Sequence, residues 1–159
     1  ALVRDKVDAR LIILGGDAAS EDQQATAEAL RAHAAQLGIT DWVDLPGYRP
    51  NPQDYLAHAQ VFVLSSRFEG FGNVVVEALL SGCPVVSTDC PSGPSEILDG
   101  GRYGMLVPTD DEAAMAEAIL ATLAKPPPAQ TLRERGQAFS RERAVVGYVR
   151  VFFGEESGR

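Results

Sequence analysis

A chain of 159 residues, 45% hydrophobic and 23% charged, is sized for one domain with its own core and is too apolar for wholesale disorder. A formal net charge of −8, with Lys6 and Lys125 the only lysines, argues against a nucleic-acid partner, which needs clustered cations. No apolar run approaches the roughly 18 residues that span a bilayer, nothing resembles a signal peptide, and Cys83 and Cys90 form neither a disulfide framework nor a metal-ligand spacing, so a reducing cytoplasm is the expected compartment.

Ala1–Val7 reads as the tail of a helix. Arg10–Leu14 is a short apolar run closed by Gly15-Gly16, a buried strand and its tight turn. Ser20-Glu-Asp-Gln23 is a capping box opening a helix that stops at Gly38. Trp42–Leu45 is a second strand, and Pro50 and Pro52 frame a short helix through His58. Val61–Leu64 is a third strand, apolar at every position and so expected to be covered on both faces. A glycine-containing loop leads into a helix over Asn73–Ser81, stopped by Gly82.

Pro84–Ser87 is the fourth strand, and Pro94 suits the first turn of a short helix through Leu98. Gly104–Val107 is the fifth strand. Thr109-Asp-Asp-Glu112 is a second capping box, starting a helix to Ala124. Pro126-Pro-Pro128 breaks the chain before a last helix toward Phe153. Strands alternating with helices imply an α/β fold, a parallel sheet flanked by helices on both faces, with ligands gathering at the carboxyl ends of the strands.

The chemistry concentrates in Ser65–Glu77, at the carboxyl end of the third strand. Gly70 and Gly72 remove side chains where backbone must approach a ligand closely. Amides from Gly72 to Val75 then open a helix with no partner inside it, a seat for a phosphate. Glu69 before the helix and Glu77 within it flank that seat, and each carboxylate can accept hydrogen bonds from a pair of hydroxyls. A dinucleotide fingerprint is incomplete here, because Val75 stands where its third glycine would be, and Gly15-Gly16-Asp17 does not complete one either. His33 and His58 read as helix-face residues, Cys83 as a small core residue, and Cys90 as a loop residue edging the site. Arg67 reads as a rim residue near a diphosphate or as a surface arginine.

Glu69, seven residues, then Glu77 resembles the paired-glutamate motif of family 4 GT-B glycosyltransferases. The embedded Glu-Gly-Phe-Gly-Asn and the following Glu77–Asp89 match nearly position by position, as do Gly47–Pro50, Gly93–Ile97 and Tyr103–Pro108. The resemblance covers nearly the whole chain. It implies a Rossmann-like, three-layer donor domain over residues 1–159, the C-terminal half of a two-domain enzyme whose N-terminal acceptor domain is absent from this chain. Glu69 would be the catalytic residue, holding hydroxyls of the donor sugar, and Glu77 would grip the ribose diol. Backbone at Gly70, Phe71, Gly72, Asn73, Val74 and Val75 would meet sugar and diphosphate, and Tyr48 and Arg49 would wall the base.

The activity so implied is retaining transfer from a nucleoside diphosphate sugar, a UDP-hexose or UDP-N-acetylhexosamine favoured, to a glycan or lipid-linked acceptor in cell-surface polysaccharide synthesis, without cofactor or metal. A nucleotide- or glycan-binding module without transferase chemistry is the alternative. Arg133, Arg135, Arg141, Arg143 and Arg150 on the last helix read as a solvated face or as a patch attracted to anionic lipid at the inner face of the membrane. The family's usual diphosphate-neutralising Arg and Lys are not matched by Lys6 or Lys125, so the chain alone is expected to be inactive. The family's first, central strand has no counterpart before Leu11 either. The resulting gap between the strands at Leu11–Leu14 and Val61–Leu64 is expected to close by direct pairing or be filled by another segment or a second copy, a homodimer.

Overall fold

The computed structural model describes residues 1–15 and 21–140, and beyond them Arg143, Val145 and Phe152. In chain order the elements are β1 (Leu11–Leu14), α1 (Glu21–Gln36), β2 (Val43–Gly47, entered through a 3-10 turn at Thr40–Trp42), α2 (Pro52–His58), β3 (Phe62–Leu64), α3 (Asn73–Ser81), β4 (Val85–Thr88), α4 (Pro94–Ile97), β5 (Met105–Val107), α5 (Glu112–Ala124) and α6 (Ala129–Gln137). Every strand pair is parallel, as helical crossovers require. Ala1–Val7 turns helically, with Asp5 N–H donating to Ala1 O and Val7 N–H to Val3 O. Ser20, the expected cap of α1, and Gly16 and Asp17 lie outside the described residues, as does most of the chain after Ser140.

Of the expected ways to close the gap, direct pairing of β1 with β3 does not occur, and among the described residues no other strand pairs with the free edge of either. The strands form a two-stranded sheet, β1-β2, and a three-stranded sheet, β3-β4-β5. In consequence Leu11 and Ile12 are about half exposed, and β3, expected to be covered on both faces, is half-buried at all three positions.

The core lies on both sides of β4. Val85 and Val86 are each 0% exposed and, as neighbours on a strand, point to opposite faces. Val85 packs with Val75, Leu79, Ile97, Leu98 and Leu132 from α3, α4 and α6, whereas Val86 packs with Val107 and with Ala118 of α5. That two-sided burial makes the fold three-layered.

Helix α3 runs over the predicted residues and stops at Gly82, in the left-handed region at φ 76°. The cap of α5 differs from the expected one. Asp110 adopts φ 60°, which ends the turn one residue short of the helix, and the Asp111 carboxylate then accepts from Ala114 N–H at 2.8 Å. Asp111 and not Thr109 is therefore the N-cap, since its side chain sits three residues before a free amide.

Cys83 is buried at the start of β4, as expected for a small core residue. Burial pushes its thiol up to about 11, partly offset by the Phe62 backbone. A raised thiol pKa means that the folded state binds the proton more tightly. The associated stability is complete below the ordinary value of 9.0 and is lost as pH rises through about 11. At pH 8 the native thiol should react with iodoacetamide at least about a hundredfold more slowly than the denatured one, two pKa units' worth of thiolate. Equal rates, read by mass spectrometry of the Cys83 peptide, would contradict that environment.

Candidate functional site

The chain leaves β3 at Leu64 and reaches α3 through Ser65–Gly72. Gly72 holds φ 87° and ψ 48°, a left-handed conformation that β-carbon-bearing residues avoid, and this bend aims the start of α3. Val75 N–H, expected to be without a partner inside the helix, instead reaches back to Gly72 O at 2.9 Å, because the turn at Gly72 brings that carbonyl within reach. Glycine has no side chain with which to cap the first turn, so the amides of Asn73 and Val74 are left for an acceptor from outside the helix.

The loop after β4 lies directly on this loop. A β-carbon at Gly93 would stand 1.9 Å from Phe71 O, so the two backbones are in contact and only glycine fits between them. The Glu-Gly-Phe-Gly-Asn and Gly-Pro-Ser-Glu-Ile stretches, separate in sequence, thus become one surface at the carboxyl ends of β3 and β4.

Both glutamates are half-buried. Ser66 Oγ donates to Glu69 Oε1 at 2.7 Å. Glu77 lies one turn into α3, and among the described residues no side chain or amide donates to its carboxylate. Arg67 takes the surface reading: its Nε donates to Asp110 Oδ1 at 2.7 Å across the loop after β5, and that hydrogen bond and the Asp110 charge raise its pKa. Around the site Phe68, Phe71 and Val74 are exposed.

Tyr48 and Arg49 are not on this loop system. They follow β2 on the other sheet, where Tyr48 is 69% exposed and Arg49 Nη1 donates to Tyr48 O. A cavity of about 270 Å³ lies beside that sheet, lined by Ile12, Asp44, Leu45, Pro46 and Tyr55, none of them an expected site residue. His33 and His58 are exposed on helices, as expected. Cys90, expected as a loop residue edging the site, is buried.

The basic cluster is corrected in part. Arg135 is committed inward, its Nε donating to Ile97 O at 2.8 Å and its Nη2 to Glu96 O at 2.6 Å, and Arg133 Nη2 donates to Ser81 O at 3.4 Å. Carbonyls at the ends of α4 and α3 attract these cations; Arg135 is half-buried and not a solvated charge, whereas Arg133 remains exposed, as expected for a solvated face. Arg141 and Arg150 lie outside the described residues.

Sequence reasoning passed over Ser66, Thr88, Gly93 as a contact, and the inward bonds of Arg135. For Thr88 a signal existed: a hydroxyl ending an otherwise apolar buried strand must find an acceptor, and it finds Ser66 O at 2.5 Å.

Residues 1–125 match the family model described as Glycosyl transferases group 1. Among curated proteins, the chain is 35% identical over 119 residues to the N-acetylgalactosamine-N,N'-diacetylbacillosaminyl-diphospho-undecaprenol 4-alpha-N-acetylgalactosaminyltransferase of Campylobacter jejuni, covering 75% of this chain and 31% of that protein. It is 34% identical over 123 residues to the lipopolysaccharide core biosynthesis glycosyltransferase LpsE of Rhizobium meliloti, covering 74% and 36%. Among solved structures, HepE of Anabaena in complex with UDP superposes with a TM-score of 0.74 at 25% identity, over 89% of this chain and 38% of that one. The chain thus spans about a third of the length of the proteins it matches. With its parallel strands, helical layers and matched family model, the chain belongs to the group 1 glycosyl transferases.

Proposed function

We propose that this chain is the donor-binding half of a retaining GT-B glycosyltransferase of family 4, acting within a longer protein that supplies the acceptor domain. The observation that carries the reading is the glycine-capped start of α3, with amides at Asn73 and Val74 that meet no partner among the described residues, beside a Glu77 carboxylate that none of them donates to. Backbone at Gly70 and Phe71 would meet the sugar and the amides from Gly72 to Val74 the diphosphate, Val75 N–H being already bonded to Gly72 O, with Glu77 holding the ribose diol, Glu69 the hydroxyls of the donor sugar, and Tyr48 and Arg49 the base. Rate enhancement would come from positioning and from stabilising the departing diphosphate while oxocarbenium character develops at the sugar.

A UDP-hexose or UDP-N-acetylhexosamine is the favoured donor, in keeping with the UDP complex of HepE. A lipid-linked glycan is the favoured acceptor, in keeping with the diphospho-undecaprenol in the Campylobacter relative's name. Such an acceptor would place the whole protein at the cytoplasmic face of a membrane. In the full-length protein, calorimetry against UDP-, GDP- and ADP-sugars should select the donor. Glu77→Ala should then raise its dissociation constant about tenfold or more, the loss of one charge-assisted hydrogen-bonding group. Unchanged affinity would remove Glu77 from the site.

A further inference from the structure

Thr88 is 3% exposed at the end of β4, the middle strand of the three-stranded sheet. On one side it is fixed by β5, through its pairing with Val107 and the bond from Asp89 N–H to Val107 O at 2.7 Å. On the other side the β3 ladder has already ended, since its last pair is Leu64 with Ser87. Beyond that pair the carbonyls of the departing chain have no strand to bond. The Thr88 hydroxyl supplies the missing donor. Its single proton has two acceptors in reach, Ser66 O at 2.5 Å and Leu64 O at 3.5 Å, and the shorter contact takes it.

Ser66, held by its own carbonyl, then turns its hydroxyl onto Glu69 Oε1 at 2.7 Å. A β-branched residue on a central strand has little rotational freedom, so the anchor is stiff. A half-buried glutamate has three side-chain torsions, which a ligand would otherwise have to order as it binds. The serine occupies one lone pair of one oxygen and leaves the rest of the carboxylate for a ligand.

We propose that Thr88 and Ser66 form a positioning relay, Thr88 Oγ1 to Ser66 O and Ser66 Oγ to Glu69, that sets the Glu69 carboxylate for the donor sugar before it binds. This rests on the reading of Glu69 as the sugar-holding residue. The relay acts on the sugar and not on the nucleotide, because Glu77 and the α3 amides lie beyond Gly72.

The test uses the full-length protein, with UDP-glucose and UDP-N-acetylgalactosamine as donor probes and UDP as control. Ser66→Ala and Thr88→Val should each lower donor kcat/KM by about ten- to a hundredfold, the factor carried by a lost charge-assisted or buried hydrogen bond. UDP affinity should stay within about twofold, since its contacts are elsewhere. Thr88→Ser, which keeps the hydroxyl, should recover most of the Thr88→Val loss. On a Glu69→Gln background Ser66→Ala should add little, because the two residues act as one unit.

Wild-type kinetics in Ser66→Ala and Thr88→Val beside a crippled Glu69→Gln would overturn the relay and leave the Glu69 reading standing. A parallel loss of UDP affinity would overturn it as well, reducing both residues to general structural support. Full activity in Glu69→Gln would instead overturn the reading of Glu69, and the relay with it. Should Thr88→Val fail to fold, Ser66→Ala and the Ser66→Ala/Glu69→Gln pair decide alone.

Discussion

Gly93→Ala is expected to lower the melting temperature of the protein by roughly 5–15 °C, from a loss of about 2–5 kcal/mol in a domain of this size. Two costs combine. Gly93 holds φ 84° and ψ −76°, a conformation in which a β-carbon strains the backbone by itself. The added carbon would also lie 1.9 Å from Phe71 O and 2.5 Å from Phe71 C, inside any tolerable contact, and both are backbone atoms that cannot rotate aside. One of the two loops must therefore move. Gly93 also starts α4, accepting from Ile97 N–H at 2.8 Å, and Phe71 lies within the proposed diphosphate loop, so donor affinity should fall together with stability. Gly100→Ala separates the two costs: Gly100 holds φ 61° with nothing within 4 Å of the built carbon, so only the conformational cost of about 1 kcal/mol applies. Equal melting of the two variants, or no shift in Gly93→Ala, would show that the loop contact carries no energy.

The contrast between Gly93 and α3 shows what this sequence reveals and what it withholds. Asn73–Ser81 was readable to its end residues because its signals are local: a glycine before it, a glycine after it and apolar positions between. The order of strands and helices and the pairing of Glu69 with Glu77 around one helix start were readable for the same reason. The cap of α5 was missed by two residues because Thr109 and Asp111 are both cap-forming types, and only the left-handed turn at Asp110 decides between them. The split of the sheet was not legible, since which strands pair is settled by contacts between elements far apart in the chain, and none of those is written in a local pattern. Nor were the partners of Ser66 and Arg135, because a hydroxyl or guanidinium in a sequence does not say which distant carbonyl it will meet.

Arg135→Ala is the second large expected effect, a loss of about 2–4 kcal/mol and so a fall of roughly 5–15 °C in melting temperature. The guanidinium bonds the carbonyls of Glu96 and Ile97 at the end of α4, joining Asp99 N–H on Glu96 O at 3.2 Å. It also lies over two rings, 5.3 Å from the centroid of Tyr103 and 4.8 Å from that of Phe139. Phe139 in turn meets Phe71 edge-on, with centroids 5.8 Å apart and planes inclined at 61°. One side chain from α6 thus ties together α4, the turn before β5 and the far side of the loop that carries Gly70 and Gly72. Arg135→Lys keeps the charge but not the planar fork, so it can replace one carbonyl contact and neither ring arrangement, and should restore less than half of the lost stability. Truncating the ring with Phe139→Leu should cost less than Arg135→Ala and should couple to it, since the two residues touch. Additive losses would mean that the guanidinium and the ring stabilise the domain independently. A melting temperature within about 1 °C of the parent in Arg135→Ala would mean that water satisfies the end of α4 as well as arginine does.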